Sequence, residues 1–157
     1  MVTSRTTREG AEAEQRRIHD EIRRSGGRLT SPTRTVVAIL VDSDRHLTAD
    51  DLIAEADRRL PGIAPSTIYR VLQRLDEIGV VEHVHAGTGP IFYHLRERGH
   101  AHLVCNSCGA ITDIPDSVLD DLADAVHDAY DFTIEPHHAA LLGRCARCAA
   151  RDTTTRF

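Results

Sequence analysis

Four cysteines set as two C-x-x-C pairs, Cys105–Cys108 and Cys145–Cys148, constrain this chain more than any other feature. Thirty-six residues separate the pairs, so any one centre they form ties two distant parts of the chain together. Paired C-x-x-C motifs in a reducing compartment read as metal ligands rather than disulfides. Four thiolates at these spacings suit tetrahedral Zn²⁺ with no open position, which is a structural and not a catalytic arrangement. Gly109, directly after Cys108, suits the tight turn of such a knuckle. A redox role for the thiols is the weaker reading, because one C-x-x-C would suffice for it. The reducing compartment is itself an expectation. Residues 1–24 are charged throughout and lack an apolar signal core, which points to the cytoplasm. No run approaches the roughly 18 apolar residues that a membrane helix needs, so a membrane partner is not expected.

A chain of 157 residues fits one large domain or two small ones, and each small core would gain from a metal or a second copy. The net charge is −5, but its distribution is uneven. Residues 1–41 hold eight Arg against five acids, whereas residues 96–157 hold six Arg against ten acids. A basic front and an acidic back suit a protein that touches phosphates with one end only. The chain has no Lys, and Arg favours bidentate contacts with phosphate and guanine.

The periodicity gives helices over 9–24, from Pro32 to Val41, and over 49–60, where Thr48 caps and Asp51 completes a capping box. In residues 66–78 the apolar positions Ile68, Val71, Leu72, Leu75 and Ile78 fall three and four apart. The opposite arc carries Ser66, Tyr69, Arg70, Gln73 and Arg74, side chains able to read base edges in a major groove. Two strands around a Gly-rich turn follow, over 80–85 and 91–95. That order reads as a winged helix-turn-helix. Residues 96–99 are a candidate hinge. Beyond it come strands over 101–105 and 110–114. A helix over 116–130 should turn Val118, Leu119, Leu122, Ala125 and Val126 inward, and a strand is expected over 132–142. The fold class is therefore α+β, with a winged-helix domain over 1–95 and an α/β dimerisation domain over 100–150. Residues 1–8 and a tail over 151–157 read as disordered.

Ten His is a large number for this length. His100-x-His102 precedes Cys105 on a strand, and His83-x-His85 lies on another, so each pair shares one face. Imidazole suits Zn, Ni, Fe and Cu, and carboxylates beside it extend the choice toward Fe and Mn.

T-I-Y-R at 67–70, H-x-H-L-V-C-x-x-C-G at 100–109 and G-R-C-x-x-C at 143–148 resemble the motifs of the ferric uptake regulator (Fur) family, a likeness running from about Arg28 to Cys148. The resemblance implies a metal-dependent repressor that binds palindromic double-stranded operators as a homodimer and is no enzyme. It implies one structural Zn²⁺ per subunit on Cys105, Cys108, Cys145 and Cys148. It also implies a regulatory hinge site on His46, His94, His100, His102 and Asp113. With no thiolate in that set, Ni²⁺ or Fe²⁺ suits it better than Zn²⁺ or Mn²⁺. A third family site is lost in its usual form, because Gly99 and Ala101 offer no ligand atoms, although Asp120 and His137 match its other members. In its place His83, His85 and His138, with His137 beside them, resemble the histidine site of the nickel-responsive (Nur) branch. One residue fewer between Leu95 and His100 departs from that branch. For DNA the resemblance implies contacts from Tyr69 and Arg70, a minor-groove contact from Arg28, and phosphate contacts from Arg34 or Thr67. Competing readings are a peroxide-sensing repressor that oxidises a histidine through Fe²⁺, a metallohydrolase, and a zinc-ribbon interaction module. No nucleophile motif supports hydrolysis, and no small organic substrate is expected.

Overall fold

The computed structural model describes residues 8–43, 45–85, 89–96, 100–134 and 139–154, with side chains to residue 151. Residues up to His83 together with Ile91–Arg96 form one compact unit, and Val84–Pro90 with the residues from Glu97 onward form a second.

The first unit is built on four helices, α1 (Arg8–Arg24), α2 (Ser31–Val41), α3 (Ala49–Arg59) and α4 (Pro65–Glu77), with strands β1 (Leu47–Thr48), β2 (Val81–His85) and β3 (Ile91–Leu95). Helix α1 buries Ile18 and Ile22, one turn apart. It ends where Gly27 lies against it, so close that a Cβ there would stand 2.8 Å from Ile22 Cγ2. Thr30 caps α2 by accepting from the Thr33 amide, and Pro32 occupies the first turn, where a missing N–H costs nothing. The capping box of α3 forms as its sequence indicates. Thr48 Oγ1 accepts from the Asp51 amide at 3.1 Å, and Asp51 accepts from the Thr48 amide at 3.0 Å. Ile68, Leu72 and Leu75 pin α4 to the core that Val36, Val37, Leu40, Leu52, Ala56 and Val81 complete. The three strands form a sheet in the order β1-β3-β2, with Leu47 opposite Tyr93. The two-residue β1 is too short to have been legible in the sequence.

The second unit is a three-stranded sheet ordered β5-β4-β6, from β4 (His100–Cys105), β5 (Ile111–Pro115) and β6 (Ala140–Gly143). A 3₁₀ turn (Asp116–Leu119) leads into α5 (Asp120–Tyr130), and α6 (Ala146–Thr154) follows β6. Strand β4 is central, antiparallel to β5 and parallel to β6. The register sets Cys105 beside Gly143, two residues before Cys145, so strand pairing itself delivers one cysteine pair to the other.

Three expectations need correction. The strand expected over 132–142 is a four-residue β6. Asp131 ends α5 in the left-handed region (φ 51°), residues 132–134 are irregular, and 135–138 lie outside the described residues. Helix α5 buries no residue. Of the five side chains expected inward only Leu119 is buried, while Val118 is 60% and Leu122 43% exposed. The apolar stripe is real, and among the described residues it stays largely exposed. The tail expected to be disordered carries α6 as far as Thr154, nucleated where the Cys148 and Ala149 amides donate to the Cys145 carbonyl. Residues 1–7 and 155–157 lie outside the described residues, as do 97–99 of the candidate hinge; Arg96 belongs to the first unit.

Candidate metal centres and nucleic-acid face

Cys105 ends β4, Cys108 closes the turn after it, Cys145 follows β6 and Cys148 lies in the first turn of α6. Their four sulfurs all fall within 4.8 Å of one another, and Cys108 Sγ stands 3.9 Å from Cys145 Sγ. Bonds of about 2.3 Å to a tetrahedral ion give sulfur–sulfur edges of about 3.8 Å, so the set has the size of such a centre. Gly109 takes φ +69° while its amide donates to the Cys105 carbonyl, the backbone conformation that the tight turn requires. The Cys145 amide donates to Cys105 Sγ at 3.4 Å. That bond, with another from the Ser107 amide, pulls the Cys105 thiol down to about 6. Cys148 is pushed up to about 12, held protonated by hydrogen bonding first to Cys145 and then to Cys108. Arg147 places a guanidinium nitrogen 4.0 Å from Cys108 Sγ, a counter-charge for a centre whose four thiolates outweigh one divalent ion.

The histidines of the expected regulatory site occur as one pair in each unit. In the first unit the rings of His46 and His94 stand 4.4 Å apart. His94 is 9% exposed, and its Nδ1 donates to the Leu95 carbonyl at 2.9 Å. A carbonyl only accepts, so Nδ1 carries a proton, and in the neutral ring Nε2 is the nitrogen left to act as a ligand. In the second unit the rings of His100 and His102 stand 4.9 Å apart on β4. His102 is 2% exposed, and its Nδ1 lies 3.0 Å from Asp113 Oδ1, directly across the β4/β5 register. This is the carboxylate–histidine arrangement that fixes a ring with Nε2 presented to a metal. Asp113 therefore touches His102 and orients it. Sequence reasoning missed Glu82, a buried acid on β2 that accepts from Arg96 Nε at 2.7 Å and lies 4.0 Å from His94 Nε2.

Of the extra histidine set, His83 Nδ1 lies 3.0 Å from Asp76 Oδ1, and its ring stands 6.4 Å from that of Tyr93. His85 is exposed at the end of β2. His137 and His138 lie outside the described residues, as does Gly99. His19 has its Nε2 buried with no hydrogen-bond partner among the described residues. Burial first, then the charges of Arg34 and Arg23, depresses its pKa.

On α4 the side chains of Ser66, Tyr69, Arg70, Gln73 and Arg74 are all exposed, as the helical arc requires, and Tyr69 is 48% exposed. The two ends of that arc differ. Glu77 accepts from both Gln73 Nε2 and Arg74 Nη1 at 3.2 Å, and Arg74 Nη2 donates to the Ser25 carbonyl. Arg70 Nε donates to the Ser66 carbonyl at 3.3 Å. Arg28, Thr33, Thr67, Arg70 and Arg74 border a cleft of about 400 Å³ between the end of α1 and α4. Arg34 is exposed on α2.

A winged helix-turn-helix and an α/β unit with a four-cysteine cluster and histidine pairs define a metal-binding regulator. The ferric uptake regulator family model matches residues 24–142. The chain is 32% identical over 142 residues to the ferric uptake regulation protein of Bacillus subtilis (strain 168), covering 87% of this chain and 95% of that protein. It is 28% identical over 127 residues to the peroxide-responsive repressor PerR of Staphylococcus epidermidis (strain ATCC 12228), covering 81% and 85%. The fold matches that of the Helicobacter pylori ferric uptake regulator, a protein with three functional metal-binding sites, at TM-score 0.73 and 20% identity over 88% of this chain and 93% of that one. The chain belongs to the ferric uptake regulator family, whose members are transcriptional regulators and not enzymes. Regulators of this family bind DNA as dimers.

Proposed function

We propose that this chain is a metal-dependent repressor of metal-homeostasis genes that binds a palindromic operator as a homodimer when a regulatory ion is bound. The observation that carries the reading is the hydrogen bonding of two histidines through Nδ1. His94 and His102 each have Nδ1 engaged, with a carbonyl and with Asp113, so each offers Nε2 as a ligand. One divalent ion drawing on His46 and His94 from the first unit and on His100 and His102 from the second would bind better where the two pairs meet. Only that differential affinity moves a conformational equilibrium. A nitrogen-rich, thiolate-free set favours Ni²⁺ or Fe²⁺ over Zn²⁺ or Mn²⁺. The four-cysteine cluster takes one structural Zn²⁺ per subunit, and its binding energy counts toward folding. His83, His85, His137 and His138 are proposed as an additional nickel-responsive set.

Exposed Val118, Leu122, Tyr130, Phe132 and Leu142 support a second copy of this chain as the cover of the second unit, because apolar residues in such number call for a partner. Tyr69, Arg70, Ser66 and Thr67 are proposed to read and hold operator DNA, with Arg28 and Arg34 on the backbone and minor groove. Gln73 and Arg74 would first have to leave Glu77. Mobility shifts on promoter DNA, with chelated protein and with each of Ni²⁺, Fe²⁺, Zn²⁺ and Mn²⁺ added back, test the reading. Retardation that needs added metal is expected, and metal-independent binding would refute it. The likeness to a peroxide-responsive repressor favours one alternative, in which peroxide, activated at bound Fe²⁺, transfers one oxygen to His46 or His100 and leaves as water. Mass spectrometry after peroxide treatment of the iron form would reveal one added oxygen on either residue if that is so.

A further inference from the structure

Helix α1 ends in a way that leaves a carbonyl for another part of the molecule. The Gly27 amide donates to the Ile22 carbonyl at 2.8 Å, and the Gly26 amide to that of Arg23 at 3.0 Å. With Gly26 at φ +76°, these two bonds make a Schellman motif, in which the chain folds back on the last carbonyls of the helix. Ser25 is the cap of that motif, and its carbonyl lies beyond the bonds that the helix makes for itself. Arg74 Nη2, on α4 and 49 residues further along the chain, donates to it at 3.1 Å. A cation is favoured at that end of a helix, where the aligned peptide dipoles concentrate negative charge. The other arm of the guanidinium is committed as well, since Arg74 Nη1 donates to Glu77 Oε2 at 3.2 Å. A bidentate contact with guanine needs two such arms, and here both serve the protein.

The grip bears on the segment that follows. The Arg28 carbonyl accepts from the Thr30 amide at 3.1 Å, and Thr30 in turn caps α2. Arg28 therefore lies between two fixed points, Ser25 held from α4 and Thr30 held at the start of α2. Arg28 and Arg70 border the same cleft, with Arg74 on its wall. We propose that Arg74 is a positioning residue of the nucleic-acid face, which grips the end of α1 and so sets Arg28 relative to Arg70. This rests on the reading of Arg28 and Arg70 as DNA contacts given above. It makes Arg74 a support for the residues that touch DNA rather than one of them. It also brings α1 into the DNA-binding platform, because the carbonyl that Arg74 holds belongs to the cap of that helix.

The test uses the full-length, zinc-loaded protein with Arg74→Met, Arg28→Ala and the two combined. Methionine keeps the apolar stem of Arg74 against the cleft and removes both donor arms. Amide exchange is read first, without DNA. Gly26 and Gly27 should exchange faster in Arg74→Met, while the Leu72 amide within α4 keeps the parent's rate. Affinity is then read on a promoter fragment that the metal-loaded parent retards. Arg28→Ala should weaken binding about fivefold or more, the scale of one lost arginine contact. Arg74→Met should weaken it by no more than that. The combined variant should match Arg28→Ala to within about twofold, because a grip with nothing left to position has no further effect. A separate DNA contact by Arg74, or a general loosening of the unit, would make the two losses multiply. Multiplied losses, parental affinity in Arg28→Ala, or unchanged exchange at Gly26 and Gly27 in Arg74→Met would each overturn the assignment. A parent that retards no promoter fragment with any metal would overturn the DNA reading itself, and the exchange measurement still decides whether the grip exists.

Discussion

The two units solve the problem of stability differently. The first buries a continuous set of large aliphatic side chains, among them Ile18, Ile22, Val36, Leu52, Ile68, Leu72 and Leu75. The second buries Ala101, Val104, Leu119 and two of its cysteines, while Val118, Leu122, Phe132 and Leu142 remain exposed. A core of that size does not support a small unit alone. The first unit is held by packing within one chain. On the function proposed above, the second would depend on what it binds, metal at the sulfurs and a second copy on the apolar face. Dependence on a ligand is a defect in a scaffold and an asset in a sensor.

Cys145→Ser should separate the units most sharply. It removes one of four sulfurs from a centre whose apparent binding energy, about 10–16 kcal/mol for structural zinc, is folding energy. We expect the second unit to lose its protection from amide exchange while the first keeps its own. A zinc-replete, fully protected second unit in that variant would break the contrast. Leu72→Ala attacks the first unit, where Leu72 is 1% exposed. Removing a buried leucine costs about 2–5 kcal/mol, so chemical unfolding of the first unit should shift by that amount while zinc content stays constant. Thr48→Ala removes the side chain that accepts from the Asp51 amide and should cost about 0.5–2 kcal/mol in the same measurement.

The smallest effect concerns pH. His19 has its folded pKa depressed below the ordinary 6.5, chiefly by burial, so the unfolded chain takes up a proton more readily than the native one. Its contribution is fully present above about 6.5 and is lost as the pH falls toward the depressed folded value. His19→Gln should flatten the stability of the first unit across that acidic window, and unchanged pH dependence would remove His19 from the account.

What was legible in the sequence was local. The Thr48–Asp51 box, the Pro32 start of α2 and the arc of α4 follow from a few neighbouring residues, and all three form. The two cysteine pairs were legible as one cluster because ligand chemistry fixes their spacing. Legibility failed where the partner of a side chain lies elsewhere. The stripe of α5 has the right period, but a period does not say whether its cover is this chain or another copy. Asp113 offers a carboxylate at the expected position, yet the β4/β5 register sets it against His102. Glu82 reads as the polar member of an alternating strand. It shares a phase with buried Val84, the one sequence signal that pointed inward.

The proposed division of labour gives the sulfurs the fold and the histidines the sensing. The most direct measurement is operator binding by the double variant His100→Ala, His102→Ala across a metal titration, with zinc content measured in parallel. We predict one zinc per subunit, an intact dimer and no metal-dependent retardation of DNA. A double variant that still binds the operator in response to metal would contradict the assignment of sensing to these histidines.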